Sequence, residues 1–198
     1  MALRHPRLEL RFKWRRELPV TPEEIKTAWD EWGANCGPAA IAAVCPITLA
    51  ALRPHMGNYE EKRYTNPTLM WEVLQNIGMR FSYRGGDLGQ GNWPTYGLAR
   101  IQWEGPWTKP CVPIQARYGH THWVGVNARN RRNIRIFDIN AIGNGSGWSL
   151  LSDWAQIIVP FILEEFVPRA DGGWHITHAV ELDPARAFRA GNQPLVTK

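Results

Sequence analysis

A cysteine is a useful nucleophile only as a thiolate, and the unpaired amides at the start of a helix help to acidify it. Cys36 occupies such a start. Gly33-Ala34-Asn35 reads as a loop, and Gly37-Pro38-Ala39-Ala40 opens a helix of small side chains. Pro38 suits the first turn, where its missing N–H costs nothing. Cys45 and Cys111 lack this setting and read as small apolar packing residues. A base follows later in the chain. In Gly119-His120-Thr121-His122-Trp123-Val124-Gly125-Val126, His122 stands at the mouth of an apolar strand after a glycine turn. Asp138 ends the next strand, Ile134-Arg135-Ile136-Phe137-Asp138, and Asn130-Arg131-Arg132-Asn133 is the polar turn between the two. That hairpin brings His122 beside residues 138–140, where a carboxylate or an amide can orient the imidazole. His120 shares the parity of His122 and competes for the base role from the loop. Asn140 shares the parity of Asp138 and competes for the orienting role.

Holding such groups takes helices on one side and a sheet on the other, and the sequence pattern supplies both. Thr21-Pro22-Glu23-Glu24 is a helix start: Thr21 caps, Pro22 fits the first turn and Glu24 closes a capping box. This helix runs to about Trp32 and stops at Gly33. The Cys36 helix comes second, residues 48–53 add a short turn, and Asn66-Pro67 opens a third long helix. Its Leu69, Met70, Val73, Leu74 and Ile77 share one face, and Gly78 is the stop. From there the period changes to two. Met79, Phe81 and Tyr83 alternate with Arg80, Ser82 and Arg84 as a half-buried strand. Residues 85–97 are a glycine-rich loop, and further strands are expected over 98–103, 112–118, 122–128, 134–139 and 175–182. Between the last two, Ser149 or Ser152 starts a helix that Pro160 kinks or ends. Helices first and an antiparallel sheet second make an α+β fold. With no internal repeat, residues 21–183 form one domain, 1–20 a basic arm or edge strand, and 184–198 a flexible tail.

Asn35-Cys36-Gly37-Pro38-Ala39-Ala40, then His122-Trp123-Val124-Gly125-Val126 and Phe137-Asp138-Ile139-Asn140, carry a family resemblance. Together they resemble papain-like cysteine peptidases, and most of all the bacterial branch that includes peptidases cleaving double-glycine bacteriocin leaders. The likeness runs from about Trp29 to Ala141. It implies a papain-like arrangement, with the Cys-bearing helix among N-terminal helices packed on a C-terminal antiparallel sheet. It also implies Cys36 as nucleophile, His122 as general base and Asp138 as the orienting residue, acting on a peptide, isopeptide or amide bond in a peptide or protein substrate. Acyl transfer or deamidation by the same dyad is a third use. The helix at Asn66-Pro67-Thr68-Leu69-Met70 is similar to uncharacterised proteins of bacterial viruses. One departure stands out. The branch carries a Gln about six residues before the Cys, whose amide helps to form the oxyanion hole. Here the place holds Asp30, with Glu31 and Trp32 beside it. A carboxylate there would repel the oxyanion, and losing one such donor costs about 10²–10³ in rate. Asn35 or the Trp32 indole N–H would then serve with the Cys36 backbone amide. The alternative is an inactive, peptide-binding relative, such as a phage protein that binds a host protein.

Other chemistries fit less well. Six of the first sixteen residues are basic (Arg4, Arg7, Arg11, Lys13, Arg15 and Arg16), so a charge-only contact with nucleic acid stays open for this arm. No helix-turn-helix, zinc-finger or RNA-binding signature accompanies it. His120-x-His122 and His175-x-x-His178 lack the spacing of a helical HExxH or a CxxC, and no metal is expected. Gly85 to Gly91 is glycine-rich but lacks the strand, helix and Lys-Ser/Thr of a phosphate loop, so no cofactor is expected either. Three cysteines cannot all pair, no apolar run is long enough to span a bilayer, and the start lacks a secretory signal, so the expected location is the cytoplasm. The sequence does not set the oligomeric state.

Overall fold

The computed structural model describes residues 20–183. The expected basic arm over 1–20 and tail over 184–198 lie outside the described residues, apart from Val20, which is buried in the core. Within these bounds the fold is α+β. Helix α1 (Pro22–Trp32) begins as its residues dictate: Thr21 Oγ1 accepts the Glu24 N–H at 3.1 Å, and Gly33 ends it at φ 69°. The Glu24 carboxylate reaches back to the Thr21 backbone and also takes the Leu49 N–H, tying α1 to α3 (Leu49–Leu52). Between them lies α2 (Cys36–Val44), whose residues from Gly37 to Val44 are all buried. A short α4 (Tyr59–Lys62) precedes α5 (Pro67–Asn76), capped by Asn66 at 2.8 Å and burying Leu69, Met70, Val73 and Leu74.

The sheet has six antiparallel strands in the order β1-β6-β2-β3-β4-β5. They are β1 (Phe81–Gly85), β2 (Tyr96–Trp103), β3 (Thr121–Asn127), β4 (Arg135–Phe137), β5 (Trp148–Leu150) and β6 (Trp174–Leu182). The last strand inserts between the first two, so β2 lies at the centre and is buried along its whole length. One face carries α1, α2, α3 and α5 over a core that includes Trp32, Ile41, Leu74, Leu98, Trp123 and Val180. Gly125 lets α2 approach, since a Cβ there would lie 2.9 Å from Val44 Cγ1 and 3.0 Å from Phe137 Cβ. The other face is covered by a second apolar layer in which Trp103, Val124 and Ile176 meet Trp154, Ile158 and Ile162. The sheet is thus enclosed on both sides, more than helices followed by a sheet implies.

Four local expectations need correction. Residues 112–118 are not a strand. Pro113 has no N–H for a ladder, and the chain turns there into the short α6 (Ile114–Arg117), leaving Ile114 63% exposed. Strand β1 is not half-buried: past Phe81 it is exposed, because it is the sheet edge, and Trp71 stacks on Tyr83 at 4.2 Å. The helical stretch after β5 starts at Leu151 (α7, Leu151–Asp153) and is not ended by Pro160. A π-helical turn over Trp154–Ile158 comes just before, loosening the ladder where Pro160 has no N–H to give, and α8 (Val159–Phe166) continues. Ser149 belongs to β5, a strand the sequence pattern did not reveal. Among the described residues no single helix is long and apolar enough to cross a membrane.

Candidate active site

Cys36 is the first residue of α2, and several contacts fix that start. Asn35 caps it, accepting the Gly37 N–H at 3.3 Å while its Nδ2 donates to the Arg63 carbonyl at 3.0 Å. The Tyr59 hydroxyl donates to the Gly33 carbonyl at 2.7 Å and accepts the Asn35 N–H at 3.1 Å. Thr65 closes over Gly37: a Cβ there would fall 2.2 Å from Thr65 Oγ1 and 2.6 Å from Thr65 Cβ. The residue after Cys36 is a glycine for that reason. The sulfur of half-buried Cys36 is hydrogen-bonded to the His122 side chain and receives the Trp123 backbone N–H.

His122 is buried near the start of β3, next to that N–H. Its Nε2 lies 2.9 Å from Asp138 Oδ2, which leaves Nδ1 as the ring nitrogen for Cys36. Trp103 stacks beside the imidazole with centroids 6.0 Å apart. Asp138, the residue after β4, is fully buried, and both its oxygens are engaged. Oδ2 also accepts the Trp154 indole N–H at 2.8 Å, and Oδ1 accepts the Asn140 N–H and Nδ2, each at 2.9 Å. A buried carboxylate supplied in this way stays ionised.

The charges follow from these contacts. Burial alone would raise the Cys36 thiol, but the His122 charge and hydrogen bond, with the Trp123 N–H, outweigh it and bring the thiol below its ordinary value. Burial would lower His122, yet the charges of Asp138 and Cys36 hold it well above the ordinary histidine range. For Asp138, burial is again overcome, by His122, the Trp154 N–H and the Asn140 N–H, and the carboxyl lies below its usual range. The three groups together favour a thiolate, an imidazolium and a carboxylate in line. Cys45 shows the contrast: buried without a partner, its thiol is pushed up to about 12.

The other residues singled out by sequence fall elsewhere. His120 does not share the site. Its ring lies 4.0 Å from that of Trp107, before β3 begins. Asn140 reaches Asp138 and not the imidazole, so it holds the carboxylate and not the ring. Asn35 has its amide committed on both sides. Trp32 is 2% exposed and packs edge-on against Tyr59 in the core, so neither is free to meet a substrate oxygen. Asp30 is exposed and ion-paired with Lys26, turned away from the role of repelling an oxyanion. His175 pairs with Glu104 at 2.9 Å, and His178 lies beside Trp71. Among the described residues no three potential metal ligands come together.

Sequence reasoning missed Trp154, Trp103, Tyr59 and Thr65, which shape the site from outside its motifs. For the two tryptophans the only signal is the excess of that residue, 11 in the chain, which does not say which indole faces a carboxylate, and Tyr59 and Thr65 have none. Set against known proteins, the chain matches no protein-family model and no curated protein at a significant level.

Proposed function

We propose that the chain is a papain-like thiol hydrolase that cleaves a peptide, isopeptide or amide bond with Cys36, His122 and Asp138. The observation that carries this reading is the His122 imidazole held between the Cys36 sulfur and a fully buried Asp138, with Cys36 at the start of a helix. Nothing in a packed core requires that arrangement, since a buried ion pair is a poor source of stability compared with apolar packing. The Cys36 thiolate attacks the carbonyl carbon, and the tetrahedral oxyanion forms beside the Cys36 backbone amide at the start of α2. His122, protonated on the Cys36 side, donates to the departing amine. It then takes a proton from the water that attacks the thioester, and Cys36 is released. Asp138 keeps the ring in one orientation throughout, with Trp154 and Asn140 holding the carboxylate. The three cysteines, all free, fit a reducing compartment, and we place the activity in the cytoplasm.

Iodoacetamide labelling across pH, mapped by mass spectrometry, tests the reading. Cys36 is expected to react at pH 6 well ahead of Cys111. Asp138→Ala is expected to slow it, and Cys36→Ala to abolish any hydrolysis. Equal labelling of Cys36 and Cys111 at pH 6 would remove the activated thiolate. A biological effect that survives Cys36→Ala would point to a binding protein that kept the fold and lost the chemistry.

A further inference from the structure

Arg100 is the residue whose placement the fold does not explain. It sits in the middle of the central strand β2 and is 8% exposed, on the face that carries the Cys36 helix. Its register partners are Trp123 on β3, which donates its indole N–H to the Thr65 carbonyl, and His178 on β6. A guanidinium has five N–H donors. Here one nitrogen reaches Thr121 Oγ1 at 3.1 Å, the charge lies 5.9 Å from the Tyr118 ring, and Nε has no partner. Among the described residues no carboxylate pairs with it. Leaving a buried cation without a counter-ion is costly, and folds avoid it.

The surroundings share the same deficit. Thr65 Oγ1, Trp71 Nε1 and Gln102 Oε1 are also buried without partners, and with Arg100 they are four of the six such atoms among the described residues. Thr65 touches the residue after Cys36, Trp71 lies beside His178, and Gln102 is two residues along β2 from Arg100 on the same face. Arg100 and Cys36 are close enough for their charges to interact, and the Arg100 charge helps to keep His178 neutral, its pKa lowered to about 4 by burial and that charge. Arg100, Trp71 and Thr65 leave donors open and Gln102 Oε1 leaves an acceptor, and the group holds one fixed cation with no anion except the Cys36 thiolate. Trp71 and Tyr83 also wall an open depression of about 850 Å³ with Met79 and Phe81, onto which a longer ligand can run.

We propose that Arg100 anchors a carboxylate-binding subsite beside Cys36, so that the preferred ligand is a peptide presenting a carboxylate next to the amide bond at the sulfur. The carboxylate completes the guanidinium's hydrogen bonds and supplies the counter-ion that the fold withholds. Its source is either the free C-terminus of a chain or an acidic side chain. The binding half stands on Arg100 alone, while its meaning as substrate choice rests on the hydrolase reading.

Calorimetric titration separates these. N-acetylglycylglycine offers a chain-end carboxylate and the α-amide of N-acetylglutamate a side-chain one; each is compared with its fully amidated counterpart. One of the two carboxylates is expected to bind at least tenfold more tightly than its amide, and which one identifies the source. Arg100→Gln is expected to erase the preference without lowering the melting temperature, and Arg100→Lys to keep part of it. If neither carboxylate outbinds its amide, or the preference survives in Arg100→Gln, the subsite is overturned. Should Arg100→Gln fail to fold, a preference undiminished in Arg100→Lys would overturn it instead. Labelling of Cys36 in the same samples reports on the hydrolase reading separately. Arg100-dependent binding with a sluggish Cys36 leaves the subsite standing and removes the catalysis.

Discussion

Trp154 donates its indole N–H to Asp138 Oδ2 at 2.8 Å, on the same oxygen that holds the His122 ring. The helix that covers the far face of the sheet therefore takes part in the site on the near end. Trp154→Phe keeps an aromatic side chain but removes the donor and, with the pyrrole ring, some of the packing. A hydrogen bond to a buried charge is worth about 1.5–3 kcal/mol, so urea unfolding at pH 7 is expected to show a loss of that order. With one donor fewer, the Asp138 carboxyl rises. The acid limb of the Cys36 labelling profile is then expected to move to higher pH. A profile unchanged in Trp154→Phe would show that the indole only packs.

The pair His122–Asp138 sets a pH window for stability. His122 is raised in the folded protein, so its contribution is complete below the unfolded value of about 6.5 and is lost as pH climbs through the folded one. Asp138 is lowered, so its contribution is complete above the unfolded value of about 3.9 and is lost as pH falls through the folded one. The stability gap between the wild type and Asp138→Asn is expected to be widest between about pH 4 and 6.5. It should narrow on both sides. A gap that stays constant from pH 5 to pH 10 would contradict the coupling.

The three thiols should label in a fixed order. At pH 6 the sequence Cys36, then Cys111, then Cys45 is expected, because Cys36 is paired with His122, Cys111 is exposed and Cys45 is buried with its thiol pushed up to about 12. In denaturant the differences should vanish. Labelling of Cys45 before Cys111 in the native protein would mean that the core around α2 opens readily.

Tyr59 connects stability with reactivity. Tyr59→Phe leaves the Gly33 carbonyl and the Asn35 N–H without their shared partner, at an expected cost of about 1–3 kcal/mol in urea unfolding. The loop before Cys36 loses its tether, so labelling of Cys36 at pH 6 is expected to slow several-fold as well. A stability loss with full Cys36 reactivity would show that Asn35 alone fixes the helix start.

What was legible in the sequence was local. Thr21, Asn35 and Asn66 announce their helices because a cap acts within three residues, and Gly33 stops α1 because the left-handed turn favours glycine. The Cys36, His122 and Asp138 set was legible because two of its members lie on one hairpin and the third at a helix start. The Val112 to Tyr118 stretch misled because its apolar residues resemble a strand, while Pro113 decides the backbone. Trp154 and Arg100 gave no local sign. The π-helical turn aims the first, and the second shares an all-buried strand with residues of both faces, so its isolation exists only once β3 and β6 have closed around it.

The insertion of β6 between β1 and β2 has a consequence for how the chain comes into being. Thr95 and Glu181 are 86 residues apart in the sequence yet are joined by a hydrogen bond, and β2 cannot be flanked on both edges until that final strand arrives. Contacts of such long range are slow to form. During synthesis the thiol at position 36 emerges early, without imidazole or carboxylate beside it, and behaves as an ordinary cysteine. The lowering of the Cys36 thiol is therefore expected to set in late and all at once, when Trp174 to Leu182 have docked and the sheet holds His122 in place.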